Sequence, residues 1–170
     1  MDDNTRKCII TGKLNIDSLT KKKEKRIRVV AQINEVSHER EKEILDAIIN
    51  GNVDEYSELA KRSVKAKLNG YKQQDIIKSF YDETLIISLK EIFIKLQQSS
   101  LVCCYCDKHV SILYRVVRDP LQWSLDRIDN SKCHSDANTV IACLGCNLKR
   151  RVTDQKKFEF TKKLTIKKIG

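Results

Sequence analysis

Two Cys-x-x-Cys pairs, Cys103/Cys106 and Cys143/Cys146, are the residues whose types and spacing most directly indicate chemistry in this chain. Four thiolates in two such pairs are the usual ligand set of a structural Zn²⁺ ion. Bound zinc contributes about 10 kcal/mol of folding free energy, enough to stabilise a small unit that has little hydrophobic core. A redox role is disfavoured, because a redox site needs only one pair. His109 follows Cys106 at a workable spacing and is an alternative ligand, although the four cysteines already complete the site.

The segment between the pairs predicts two strands, and the segment after them predicts a helix. In "LQWSLDRI" (121–128) apolar and polar residues alternate, so Trp123 and Leu125 share one face and Asp126 lies on the other. This parity turns the Asp126 carboxylate away from the apolar face, where ionisation would be costly. A polar loop "DNSKCHSDAN", a buried strand "TVIAC" and a basic helix that begins near Cys146 follow. The predicted order is strand, loop, strand, helix.

The string "LDRID", a later Asn before the second strand, and "CxxCN" together resemble the HNH endonuclease family, also called His-Me finger or ββα-metal nucleases. The resemblance is to the four-cysteine zinc form found in phages, large DNA viruses and mobile elements. It covers about 101–152. It implies an α+β fold, in which an N-terminal helical region precedes a small zinc-stapled ββα-metal module.

The resemblance also implies a second metal, which would be catalytic. By position, Asp126 matches the strand ligand and Asn147 the helix ligand of one hard divalent ion. One carboxylate and one amide oxygen suit Mg²⁺ or Mn²⁺, which neutralises the scissile phosphate and stabilises the leaving oxygen. Asn138 matches the family's central Asn, which ties the loop together by hydrogen bonds and does not touch metal.

Arg127 is a departure from the family, in which a His usually follows the strand ligand and serves as general base. A guanidinium stays protonated and cannot accept the proton of water. Three interpretations follow: Arg127 clamps the phosphate while His134 or Asp129 activates the water, or metal-bound water suffices with slow turnover, or the site is inactive. The string resembles a recurring viral variant that also has Arg here, which favours an active site.

The charge of the chain favours a polyanionic partner. With 33 Lys and Arg against 23 Asp and Glu, the net charge is +10. Residues 147–170 hold nine basic and two acidic side chains, so they contribute +7 of that total. We expect the partner to be DNA, bound through its backbone, with a sequence preference that is weak or is supplied by the helical region. The predicted DNA contacts are Lys149, Arg150, Arg151, Lys156 and Lys157. Membrane-surface binding is disfavoured because no basic stretch has a matching apolar face, and no small-molecule substrate is expected.

Three segments are predicted along the chain: a basic N-terminal segment (1–36), a helical region (37–100) and the HNH module with its basic C-terminal helix (101–170). In the helical region, Ser37 is the N-cap of a first helix ending at Gly51, and Ser88 with Glu91 forms a capping box. The further predicted elements are a helix over 53–69 that stops at Gly70, a short helix over 72–81, a fourth helix ending near Gln98, and strands over 27–33 and 111–117. The run over 20–28 is interpreted as solvated charge, and the alternatives are a nuclear-localisation signal or an arm that binds phosphate.

These observations predict a metal-dependent HNH endonuclease that hydrolyses phosphodiester bonds in DNA. The alternative is a catalytically inactive, zinc-stabilised DNA-binding module, and Arg127 is the residue that favours it. Cutting both strands with one single-metal site would need two copies of the chain, such as a homodimer, or two encounters. The sequence lacks a signal-peptide pattern and a membrane-spanning run, so we expect a soluble, intracellular protein, in the host nucleus or cytoplasm if it is viral.

Overall fold

The computed structural model describes residues 11–13, 16 and 35–164. Within 35–164 three helices are followed by one small antiparallel sheet of two strands and then by two further helices. The elements are α1 (His38–Ile49), α2 (Ser57–Ile77), α3 (Leu89–Gln98), β1 (Trp123–Arg127), β2 (Thr139–Cys143), α4 (Leu144–Arg150) and α5 (Gln155–Lys163). The fold is mixed α plus a two-stranded sheet, in agreement with the predicted α+β class. The basic run over 20–28, the predicted strand over 27–33, Cys8 and residues 165–170 lie outside the described residues.

Side-chain caps fix the starts of α1 and α3, as predicted. The Ser37 hydroxyl accepts a hydrogen bond from the Arg40 amide at the start of α1. At the start of α3, Ser88 and Glu91 form a reciprocal capping box. Each cap satisfies backbone N–H groups that have no partner within the helix. The chain leaves α1 through Gly51, whose φ of 75° favours glycine.

Helix α2 does not stop at Gly70, so the prediction of two helices here was wrong. One helix runs from Ser57 to Ile77. Its buried positions continue at three- and four-residue spacing through Leu68, Tyr71 and Asp75, so the buried face crosses the glycine. Glycine in a helix interior costs about 1 kcal/mol relative to alanine, less than the burial of one large apolar side chain contributes.

The strand predicted over 111–117 is also absent, since this segment holds only isolated bridge residues, Ser111, which pairs with Gln122, and Val116. A buried carboxylate explains the difference. Glu41 of α1 accepts hydrogen bonds from the Ser111 hydroxyl (2.7 Å) and from the backbone amides of Ile112 (2.9 Å) and Leu113 (2.7 Å). These amides are thus bound to a side chain and unavailable for a ladder.

Strands β1 and β2 pair antiparallel, with Asp126 opposite Val140 and Arg127 opposite Thr139. The helix α4 follows β2 directly. The predicted single basic helix was wrong in one respect: the chain breaks at Arg151, which has a φ of 55°, and α5 begins separately at Gln155. The order β1, loop, β2, α4 agrees with the predicted strand, loop, strand, helix.

A continuous apolar cluster joins the helices to the sheet. It includes Ile44 of α1, Val64 of α2, Leu96 of α3, Trp123 of β1 and Ile141 of β2, each at most 3% exposed. Burying a large apolar side chain contributes roughly 1.5–3 kcal/mol, so the helices and the sheet stabilise each other. Within the described ranges, no helix combines the length and the apolar character that a membrane span requires.

Replacing Gly70 with alanine should stabilise the protein. The glycine is exposed inside α2, and an added Cβ would have no atom within 4 Å. We expect Gly70→Ala to increase the free energy of unfolding by about 0.5–1 kcal/mol, measured by urea denaturation. A decrease would contradict the continuous helix and would place its end at Gly70.

Candidate functional site: a four-cysteine cluster beside a polar cleft

The four predicted cysteine ligands come together in space. Their Sγ atoms all lie within 4.8 Å of one another, and the Sγ atoms of Cys106 and Cys143 are 3.9 Å apart. In a tetrahedral site with Zn–S bonds of about 2.3 Å, neighbouring sulfurs are about 3.8 Å apart. The cluster is therefore compatible with a structural zinc ion. Hydrogen bonding from Cys143 lowers the pKa of the Cys103 thiol to about 4, which favours its thiolate form. The same hydrogen bond raises the pKa of the Cys143 thiol, and burial raises the pKa of the Cys146 thiol.

Cys104, Cys133 and His109 lie outside the cluster. The His109 ring stacks on His38 with centroids 3.5 Å apart, so the alternative zinc ligand is not among the clustered residues. Cys104 is half-buried beside the cluster, and burial raises the pKa of its thiol to about 12.

The cluster joins two distant parts of the chain. Cys103 and Cys106 lie in a tight turn just after α3, closed by the hydrogen bond from the Cys103 amide to the Lys108 carbonyl. Cys143 ends β2 and is the N-cap of α4, where its Sγ accepts from the Cys146 amide. A bound ion would thus fix the end of the sheet, the start of α4 and the turn after α3 relative to one another.

A cleft of about 440 Å³ lies between α2, β1, the polar loop and α4. Five of the residues singled out in the sequence line it: Asp126, Arg127, His134, Asn147 and Arg151. Lys78 and Phe80, just after the end of α2, line it too. The fold thus brings the predicted strand, loop and helix residues around one polar space.

Asp126 is more enclosed than its strand parity predicted. It does lie on the β1 face opposite Trp123 and Leu125, but α4 and the cysteine turn cover that face, and Asp126 is only 4% exposed. Its Oδ1 accepts from Arg150 Nη1 at 2.7 Å, and its Oδ2 accepts from the Tyr105 hydroxyl at 2.6 Å. Burial raises the pKa of Asp126, and its hydrogen bonds to Tyr105 and Arg150 oppose the shift.

Asn147 lies in α4, where its side-chain amide faces β1. Its Nδ2 donates to the Ser124 hydroxyl (3.2 Å) and to the Leu125 carbonyl (3.1 Å). These bonds fix the orientation of the amide, since both use its nitrogen. Its Oδ1 accepts no hydrogen bond from any residue in the described part of the chain.

A second buried carboxylate, Asp75 of α2, lies beside the loop and is 0% exposed. Its Oδ2 accepts from the His134 amide at 2.7 Å, and its Oδ1 lies 2.8 Å from His134 Nδ1. Arg127 Nη1 donates to the Lys132 carbonyl at 3.0 Å and lies 3.5 Å from Asp75 Oδ1. Arg127 is only 6% exposed, so it anchors the loop to α2 and β1.

Asn138 closes the polar loop from within. Its Oδ1 accepts from the Asp129 amide at 2.9 Å, and its Nδ2 donates to the carbonyls of Asp129 (3.0 Å) and Cys133 (2.9 Å). Asp129 accepts from the amide and hydroxyl of Ser131 through Oδ1, and these bonds lower its pKa.

The predicted DNA contacts divide into two groups. Lys149, Arg151, Lys156 and Lys157 are exposed. Arg150 was wrongly predicted to contact DNA: it is 1% exposed and bonds to Asp126 and to the Ile128 carbonyl (3.1 Å). Its position in α4 turns it toward β1, where a buried carboxylate requires a positive partner.

Sequence reasoning missed Asp75 and Tyr105 as parts of the site, and it assigned Arg150 to DNA contact and not to Asp126. Asp75 lies on a helix more than fifty residues before its partner His134, and nothing in its local sequence marks it as buried. The three-residue spacing from Asn147 to Arg150 does place both on one face of α4, which was a usable signal.

No family model, curated protein or solved structure matches this chain.

The cluster predicts one zinc ion per chain. Cys106→Ser should lower zinc content to near zero and lower the melting temperature sharply, because a structural zinc contributes about 10 kcal/mol of folding free energy. Elemental analysis of the purified protein measures the stoichiometry. The matched control is Cys104→Ser, which should keep one zinc per chain. Loss of zinc in the control, or full zinc in Cys106→Ser, would contradict this ligand set.

The pair between Asp126 and Arg150 makes a second prediction. Asp126→Asn leaves the Arg150 guanidinium buried without an ionised partner, so we expect a loss of about 3 kcal/mol or more in the free energy of unfolding. Asp136→Asn is the control, because Asp136 pairs with Lys95 but is 55% exposed, and it should cost under about 1 kcal/mol. Equal effects of the two substitutions in chemical denaturation would show that the buried pair does not stabilise the fold.

Proposed function

We propose that this chain is a metal-dependent, HNH-type endonuclease that hydrolyses phosphodiester bonds in DNA. The observation that carries the proposal is the convergence of Asp126, Asn147, His134 and Arg127 on one cleft of a β1, β2, α4 unit with the cysteine cluster beside it. Polar and titratable groups that meet in a concave site are the usual mark of a functional centre.

The donor set of the cleft fits a divalent cation. An ionised carboxylate has about four lone-pair sites, and Asp126 uses two of them for Tyr105 and Arg150. The Asn147 Oδ1 is not used by a described donor, because the amide bonds to β1 through its nitrogen. Asp126 and Asn147 would hold Mg²⁺ or Mn²⁺, which when bound neutralises charge on the scissile phosphate.

The charge around the cleft supports DNA as the substrate. Arg151 and Lys78 line the cleft, and the exposed Lys149, Lys156 and Lys157 continue the positive surface along α4 and α5. Each phosphate contact should add about −0.9 to the slope of log K against log salt, so binding should weaken steeply as salt rises. Cutting both strands would need two copies of the chain or two encounters.

The second candidate is a zinc-stabilised DNA-binding module without catalysis. One observation favours it: both carboxylate oxygens of Asp126 already accept strong hydrogen bonds, from Arg150 at 2.7 Å and Tyr105 at 2.6 Å. A divalent cation would have to share this carboxylate with a buried guanidinium. The two candidates differ in a measurable outcome, because only the first one changes DNA covalently.

Relaxation of supercoiled plasmid in Mg²⁺ or Mn²⁺ tests the proposal. Wild type should nick the plasmid, EDTA should stop it, and Asn147→Ala should slow it by about 10²-fold or more, because a lost metal ligand removes several kcal/mol of transition-state stabilisation. The control is Asn69→Ala on the exposed face of α2, which should nick at the wild-type rate.

Two other outcomes would decide against the nuclease. Salt-sensitive binding of wild type to DNA without nicking would establish the binding module instead. Nicking that survives Asn147→Ala unchanged would place the activity elsewhere or in a contaminant.

A further inference from the structure

The pair formed by His134 and Asp75 has the geometry of a general base and the group that orients it. Asp75 Oδ1 lies 2.8 Å from His134 Nδ1, and Asp75 Oδ2 accepts from the backbone amide of the same residue at 2.7 Å. A carboxylate only accepts, so Nδ1 carries the proton and donates it. In the neutral ring, Nε2 is then the unprotonated nitrogen.

The surroundings keep this ring fixed. Tyr71 of α2 stacks against it with ring centroids 4.7 Å apart, and the His134 carbonyl accepts from the Ile87 amide at 2.8 Å. His134 lines the cleft, and within residues 35–164 no group hydrogen-bonds to its Nε2. The ring is thus held on one edge by Asp75, while its other nitrogen has no described partner.

We propose that His134 is the general base of this site and that Asp75, from the helical region, is its positioning residue. The inference rests on the proposed nuclease function. In the HNH family the general base is usually a histidine at the position that Arg127 occupies here, and His134 would take over its role. The inference also gives α2 a role in the chemistry, since Asp75 lies on that helix.

The other groups of the site are less suited to this role. Arg127 stays protonated and is bound to Asp75 and to the Lys132 carbonyl. Asp129 holds the Ser131 turn, and its hydrogen bonds to Ser131 lower its pKa, which makes it a weaker base. It is also not among the residues that line the cleft.

The charged groups around His134 favour its neutral form. Burial lowers the pKa of His134; Asp75 opposes this shift, and Arg127 of β1 and Lys78 of α2 add to it. A ring that is neutral near physiological pH can accept a proton.

In the proposed step, Nε2 takes one proton from a water molecule, whose oxygen bonds to phosphorus. The phosphorus–oxygen ester bond then breaks, and the leaving oxygen takes a proton from solvent.

Chemical rescue of the full-length protein tests the base. His134→Ala should slow single-turnover plasmid nicking by about 10²- to 10⁴-fold, and added imidazole should restore part of the rate. The control His109→Ala removes an exposed histidine outside the cleft, so it should nick at the wild-type rate with no response to imidazole. A purely structural role for His134 predicts no rescue by imidazole in a folded variant.

Asp75→Asn tests the positioning residue. The amide keeps the shape and can accept from the His134 backbone, but it favours the wrong tautomer of the ring. We expect slower nicking and a changed pH–rate profile. Because Asp75 is buried, its substitution can also destabilise the fold. A second measurement therefore uses the wild-type protein: long-range ¹H–¹⁵N NMR should show a neutral His134 protonated on Nδ1.

The outcomes separate this inference from the proposed function. The base assignment would be overturned if His134→Ala nicks at the wild-type rate, or if imidazole does not restore nicking by a folded His134→Ala. Either result would leave the proposed nuclease function intact. A wild-type His134 protonated on Nε2 would overturn the role of Asp75. Wild type that binds DNA but never nicks would overturn both.

Discussion

The meeting of four cysteine sulfurs between the turn after α3 and the start of α4 is the constraint on which the site depends. The sheet has only two five-residue strands, too few to be stable alone. The cluster joins the end of β2 and the start of α4 to the turn that carries Tyr105, whose hydroxyl bonds to Asp126. The apolar cluster does the same from the helical side, through Trp123 and its neighbours. Between these two supports, β1 is buried along its whole length.

Burial of β1 on both faces explains the two ionic networks beside the cleft. Asp126 faces α4 and the cysteine turn, where Arg150 and Tyr105 satisfy its oxygens. Arg127 points to the other face, where it meets Asp75 of α2. A buried charge is stable only when it is paired and hydrogen-bonded, so each residue requires a partner from a neighbouring element. The partners in turn fix the position of the polar loop.

Local signals in the sequence were sufficient for much of this arrangement. The cysteine spacing predicted the cluster, the caps at Ser37 and Ser88 predicted two helix starts, and alternation predicted β1. The predictions from sequence were wrong where tertiary contacts determine the structure. The Glu41 carboxylate binds backbone amides that a predicted strand would have used, and the buried face of α2 continues past the glycine that was predicted to end it. Arg150 reads as surface charge in sequence but is a buried partner, because only the fold places Asp126 opposite it.

The proposed function requires the cleft to take a divalent cation although Asp126 is already paired with Arg150 and Tyr105. The most direct measurement is paramagnetic broadening by Mn²⁺ in the ¹H–¹⁵N spectrum of the zinc-loaded protein. We expect substoichiometric Mn²⁺ to broaden first the signals of Asp126, Asn147 and their neighbours, and excess Mg²⁺ to restore them. Broadening confined to exposed carboxylates such as Glu83, with the cleft signals unchanged, would contradict the claim.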